Sequence, residues 1–166
     1  MATSKMLEGY CADVEHLVRE GFLRQAVRLA VALPEICSAL ERAGMQSSRG
    51  AYVGWCVKWL RREQRDGKAV TGERLYRLRG RLLQRISGPD RESAPPQALL
   101  RLRMRRHQRS YRGLGRARLW DPHNRLEHFQ VALCEELVEA ARDWYRDYGR
   151  DDQTVQTNIG KLLATR

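Results

Sequence analysis

Between Thr71 and Ile86 the apolar residues Leu75, Leu78, Leu82 and Ile86 recur at three- and four-residue spacings. On a helical wheel they fall in a stripe roughly 80° wide, which predicts a helix packed on a core. Arg74, Arg77, Arg81 and Arg85 form a second, cationic stripe on other faces. Arg79 joins neither group. It lies about 40° from Leu75 on the wheel, at the border of the apolar stripe, where an unmatched guanidinium is costly. Either its head group reaches out to water, or something acidic or anionic meets it there.

The same period runs through most of the chain. Leu7, Cys11, Val14 and Leu17 predict an amphipathic helix over 4–18, with Gly21 as its breaker. Residues 22–33 are apolar except for Arg24, Gln25 and Arg28, which makes this the most buried segment expected. Pro34 kinks that helix or starts a new one, and Glu35 follows in the first turn, where the helix dipole favours a carboxylate. After a polar connection over 44–49, residues 51–65 put Tyr52, Trp55, Cys56, Trp59 and Leu60 on one side; Asp66-Gly67 ends the run, and Thr71 can cap the helix described above. Near the end, 129–148 reads as a helix with Phe129, Leu133, Leu137, Ala140, Ala141 and Trp144 inward. Glu135, Glu136, Glu139, Asp143 and Asp147 then face water. Asp151 or Asp152 can cap a last helix that uses Val155, Ile159, Leu162 and Leu163.

One stretch departs from this period. Residues 87–96 are a loop by composition, and Leu100–Arg105 alternates apolar with basic, the mark of a half-buried strand with a cationic face. A turn over 110–115 leads to a second strand at 116–120. The expected fold is therefore mainly α: one domain over 1–166, with a helical core at 4–86, a loop and small antiparallel β-hairpin at 87–122, and C-terminal helices at 128–165.

Charge adds a function class. The chain carries +11 at neutral pH, but residues 57–118 alone hold nineteen Lys/Arg against five Asp/Glu, a local net of +14 beside a remainder of −3. Such clustering points to a polyanionic partner. The candidate phosphate contacts are the arginines at 74, 77, 79, 81 and 85 together with Arg101, Arg103, Arg105, Arg106, Arg109, Arg112, Arg116 and Arg118, the last group close to Tyr111 as a stacking surface. A solvated strand face is the plainer alternative for the hairpin group. Trp55, Trp59 and Trp144 read as core residues, whereas Trp120 beside the turn has a better claim to exposure.

Other chemistry finds little support. Cys11, Cys37, Cys56 and Cys134 are widely separated, with no Cys-x-x-Cys pair and no histidine at ligand spacing, so reduced buried thiols are expected and no metal or cofactor. Arg118 and His123 satisfy a bare Arg-x4-His spacing, but Pro122 interrupts one helix face. His107 lies among cations that disfavour its charged form, His128 and His123 suit capping or surface roles, and His16 falls on a polar face. The chain shows no apolar run long enough to span a membrane and no basic-then-apolar leader, which gives a cytoplasmic expectation without membrane contact.

The runs AVRLAVALPEIC (26–37), YVGWCVKWL (52–60), VTGERLYRLRGRLLQ (70–84) and FQVALCEELVEAARDWYRD (129–147) resemble a group of small bacterial and phage proteins similar to the HEPN superfamily. That resemblance implies an all-α bundle, a place in toxin or antiviral systems, and, in its ribonucleases, an Arg-x4–6-His motif used by dimers. Carried over, the motif arginine is Arg79 and the acidic position is Glu35, while the histidine position holds Gln84. An amide cannot shuttle a proton near neutral pH. The resemblance thus implies a degenerate member that binds RNA or single-stranded nucleic acid without cutting it, in a defence or ribonucleoprotein context. Alternatives are an active ribonuclease using Arg79 and Glu35 with His123 or His107, homodimers included, and a protein-binding subunit or inhibitor of a nucleoprotein complex. A helix-turn-helix DNA reader fits less well, because 65–71 is longer than the usual turn.

Overall fold

The computed structural model describes residues 2–60, 71–87 and 125–164, and these form a helical bundle with no strand among them. The expected hairpin, the arginines from Arg101 to Arg118, Trp120, His107 and His123 all lie outside the described residues.

Helix α1 spans Ala2–Arg19 and buries Leu7, Tyr10, Cys11, Val14 and Leu17. It ends in a Schellman motif: the Phe22 N–H donates to Leu17 O at 2.9 Å and the Gly21 N–H to Val18 O at 3.1 Å. Gly21 has φ of 77°, a left-handed conformation that explains glycine at this breaker. Helix α2 (Leu23–Ala30) and helix α3 (Leu33–Leu40) are separated by a short turn, and Pro34 stands in the first turn of α3. Proline therefore starts a new helix here, since its missing N–H falls where no intrahelical partner exists.

Every residue of α3 is buried, including Glu35 and Ser38. A helix enclosed on all sides must have its end groups satisfied by neighbours. At the preceding turn the C-terminal carbonyls of α2 are met in the same way: the Tyr52 hydroxyl donates to Val31 O at 2.8 Å and the Tyr10 hydroxyl to Leu29 O at 2.9 Å. At the C-terminal end of α3 the Asn158 amide donates to Leu40 O at 2.9 Å and to Arg42 O at 2.7 Å.

Helix α4 spans Arg49–Trp59, capped by the Ser48 hydroxyl, which accepts from Ala51 N–H at 3.2 Å. Helix α5 spans Gly72–Ser87, and Thr71 Oγ1 accepts from Arg74 N–H at 3.3 Å, the expected cap. The two helices meet at Gly72, where a Cβ would stand 2.8 Å from Cys56 Cβ. Helix α6 spans Arg125–Trp144 and continues as a π-helical turn over Tyr145–Gly149; helix α7 spans Gln153–Ala164. Helix α6 packs on α1, α2, α3 and α4, whereas α5 packs on α4 and touches α2. Asp152 is the acid that caps α7, accepting from Val155 N–H at 2.9 Å.

Two inward-outward assignments along α6 reverse. Phe129 is exposed at 45%, because it stands in the first turns, before α6 enters the core. Asp143 is buried rather than wet, paired with Arg146 at 2.6 Å one turn on. All four cysteines are buried free thiols, and burial drives Cys56 and Cys134 up to about 12. Among the described residues no helix is long and apolar enough to cross a membrane, and no cluster of three or more metal-binding side chains occurs.

Candidate functional site

The border position of Arg79 is resolved by Glu35. Helix α5 brings the guanidinium to the first turn of α3, where its Nε–H donates to Glu35 Oε2 at 2.5 Å and its Nη2 to Glu35 Oε1. The pair is bidentate and almost fully enclosed, with side-chain exposures of 5% for Arg79 and 3% for Glu35. Burial holds the Glu35 carboxyl above its usual value, while the hydrogen bonds and charge of Arg79 pull it back down. Arg79 also lies over the Tyr76 ring, 5.3 Å from its centroid, and Tyr76 meets Tyr52 edge-on at 5.3 Å and 69°. Through the Tyr52 hydroxyl on Val31 O, this aromatic pair links α5 to the turn that presents Glu35.

Glu35 and Arg79 form part of the wall of a cleft of about 520 Å³. The start of α4 supplies Ser47, Ser48 and Arg49, and α5 supplies Glu73, Tyr76 and Arg77. Arg49 and Glu73 form an ion pair from α4 to α5, exposed at 64% and 34%. Ser47 lies 2.7 Å from the Ser38 hydroxyl, which itself donates to Glu35 O at 3.3 Å. The sequence reading singled out Arg79, Glu35 and Arg77 but missed Ser47, Ser48, Arg49, Glu73 and Tyr76. By sequence the serines and Arg49 read as plain polar connection, and the approach of α4 to α5 brings them into one cleft with Tyr76 and Arg77.

Along α5, Arg77 at the cleft and Arg74 and Arg81 beyond it are exposed and carry no ion pair among the described residues. They fall within about 60° of one another on the helical wheel. Helix α5 continues through Gln84 and Arg85. The described histidines, His16 on α1 and His128 on α6, are exposed and do not line the cleft.

No family model, no curated protein and no solved structure matches this chain. The fold and the site therefore define its class on their own terms: a helical protein with a cleft walled by a buried carboxylate–guanidinium pair and flanked by a stripe of exposed arginines.

Proposed function

We propose that this protein binds RNA or another single-stranded nucleic acid without cleaving it. The observation that carries the reading is the α5 stripe: Arg74, Arg77 and Arg81 share one exposed helix face without a carboxylate partner among the described residues. Three like charges on one face repel unless an anion joins them, and a phosphate backbone supplies anions at close spacing. Arg79 plays a different part in this reading. Its charge is already met by Glu35, so it anchors α5 and shapes the cleft rather than meeting phosphate freely.

The resemblance to HEPN ribonucleases supports the same conclusion from the chemical side. Cleavage through a 2′-hydroxyl needs a group that moves a proton, and Gln84 stands where those enzymes keep histidine. A defence or ribonucleoprotein setting follows from that resemblance alone.

The test is titration of labelled single-stranded RNA, single-stranded DNA and duplex across about 50 to 200 mM salt. Affinity should fall linearly on logarithmic axes, and converting Arg74, Arg77 and Arg81 together to Gln should flatten the slope by about 2. An RNA that is turned over, with turnover abolished in Arg79→Ala, replaces this reading with the ribonuclease. Silence at low salt, beside a stable protein partner, replaces it with the protein-binding subunit.

A further inference from the structure

The cleft has features that a plain backbone-tracking surface does not need. Its volume of about 520 Å³ sits inside the range of roughly 300–1,000 Å³ that holds small ligands. Two guanidiniums line it, Arg49 from the start of α4 and Arg77 from α5. Among the described residues Arg77 has no ion pair, and Arg49 is held by Glu73 in a largely exposed contact. Exposed pairs of this kind are weak and give way readily to a better anion.

The neutral donors are also biased. Ser48 Oγ accepts from Ala51 N–H, which leaves its own hydroxyl proton to donate. Ser47 shares a 2.7 Å hydrogen bond with the Ser38 hydroxyl and reaches the Ser48 carbonyl at 3.4 Å, so its proton is used within the protein. The Tyr76 hydroxyl makes no hydrogen bond among the described residues, although its ring is pinned between Arg79 and Tyr52. Two cations, a free hydroxyl donor and a fixed phenol suit a compact dianion better than the single charge of an internal phosphodiester.

We propose that this cleft is a phosphomonoester pocket in which the Glu73 carboxylate occupies the position on Arg49 that a terminal phosphate takes. Arg49 and Arg77 grip the phosphate, the Ser48 and Tyr76 hydroxyls donate to it, and Glu73 swings out as it enters. Glu73 thereby acts as a built-in competitor, screening weak anions from the pocket. The proposal deepens the single-strand reading, on which it rests, by making the end of the strand the recognised feature. The same chemistry also admits a free nucleoside monophosphate.

The experiment compares one short RNA with a 5′-phosphate, a 3′-phosphate or hydroxyls at both ends, each labelled at the opposite end, together with free adenosine 5′-monophosphate. One phosphorylated end should bind roughly tenfold or more tighter than the hydroxyl form. Arg49→Gln should erase that preference, and Glu73→Gln should raise affinity for the phosphorylated end about two- to fivefold. Arg74→Gln and Arg81→Gln should weaken all strands alike. Equal binding of phosphorylated and hydroxyl strands, still lost in Arg74→Gln with Arg81→Gln, overturns the pocket and leaves the single-strand reading standing. Adenosine monophosphate bound through Arg49, with no strand bound, keeps the pocket and overturns the strand as its source. No binding of any of these probes overturns both.

Discussion

The arginines of α5 and those at the end of α6 carry the same charge into different company. On the α6 side, Arg142 donates to Glu8 and Glu15, reaching Glu15 Oε1 at 2.6 Å, and ties α6 to α1. Arg146 pairs with Asp143 and Asp147, and Arg150 with Asp151. Each of those guanidiniums is used inside the fold. On α5 the buried Arg79 is used in this way, while Arg74, Arg77 and Arg81 face solvent without a matching carboxylate among the described residues. Surplus basic residues therefore say little until their partners are known. The unmatched subset is what an outside anion can address.

The contrast can be broken most forcefully at its buried member. Arg79→Met should cost about 3–5 kcal/mol in urea unfolding, because it strands the Glu35 carboxylate in the core. Adding Glu35→Leu should restore most of that loss, since an apolar pair of similar volume replaces two desolvated charges. A stable Arg79→Met single variant would show that the pair is not the anchor of α5.

Next in size is the surface comparison. Replacing Arg74, Arg77 and Arg81 by Gln should weaken single-stranded RNA binding about tenfold or more at low salt, with the unfolding midpoint little changed. Replacing Arg142, Arg146 and Arg150 by Gln should leave RNA affinity unaltered. Equal losses from both triplets would erase the distinction drawn between the two regions.

Gly72→Ala probes the support beneath the stripe. Its Cβ would stand 2.8 Å from Cys56 Cβ and 3.2 Å from Val53 O, so α5 must move off α4 at a cost of about 1–3 kcal/mol. RNA affinity should fall with it, although no arginine is touched.

The smallest effect belongs to Arg142→Gln, at most about 1 kcal/mol, because the network is partly exposed and screened. Its pH dependence has a definite sign. Arg142 holds the Glu15 carboxyl below its ordinary value of 4.5, so this contribution is present above that value and lost as pH falls through the depressed one. The stability gap between wild type and variant should be full at neutral pH and close in acid.

Much of the helical order could be read from the chain. Periodicity placed α1, α5 and α7; Gly21 and Thr71 were recognisable as local end signals, whereas Pro34 could be a kink or a helix start and the last cap Asp151 or Asp152 until the structure chose the start and Asp152. These features depend on neighbours within a few residues, which is why a linear pattern carries them. Phe129 and Asp143 escaped that logic, since one stands before the core begins and the other is matched from the next turn. The site was only half legible. The wheel marked Arg79 as costly, but Glu35 lies 44 residues away, and spacing alone could not say whether acid or water met it. Ser48 and Arg49 looked like ordinary polar connection until α4 and α5 closed on Gly72. Sequence by itself determined where helices begin, which faces are apolar, and that positive charge accumulates in the middle of the chain. Tertiary structure alone decided which charges are neutralised at home and which remain for a partner, because ion pairing depends on distance in space, and distance in space is set by packing.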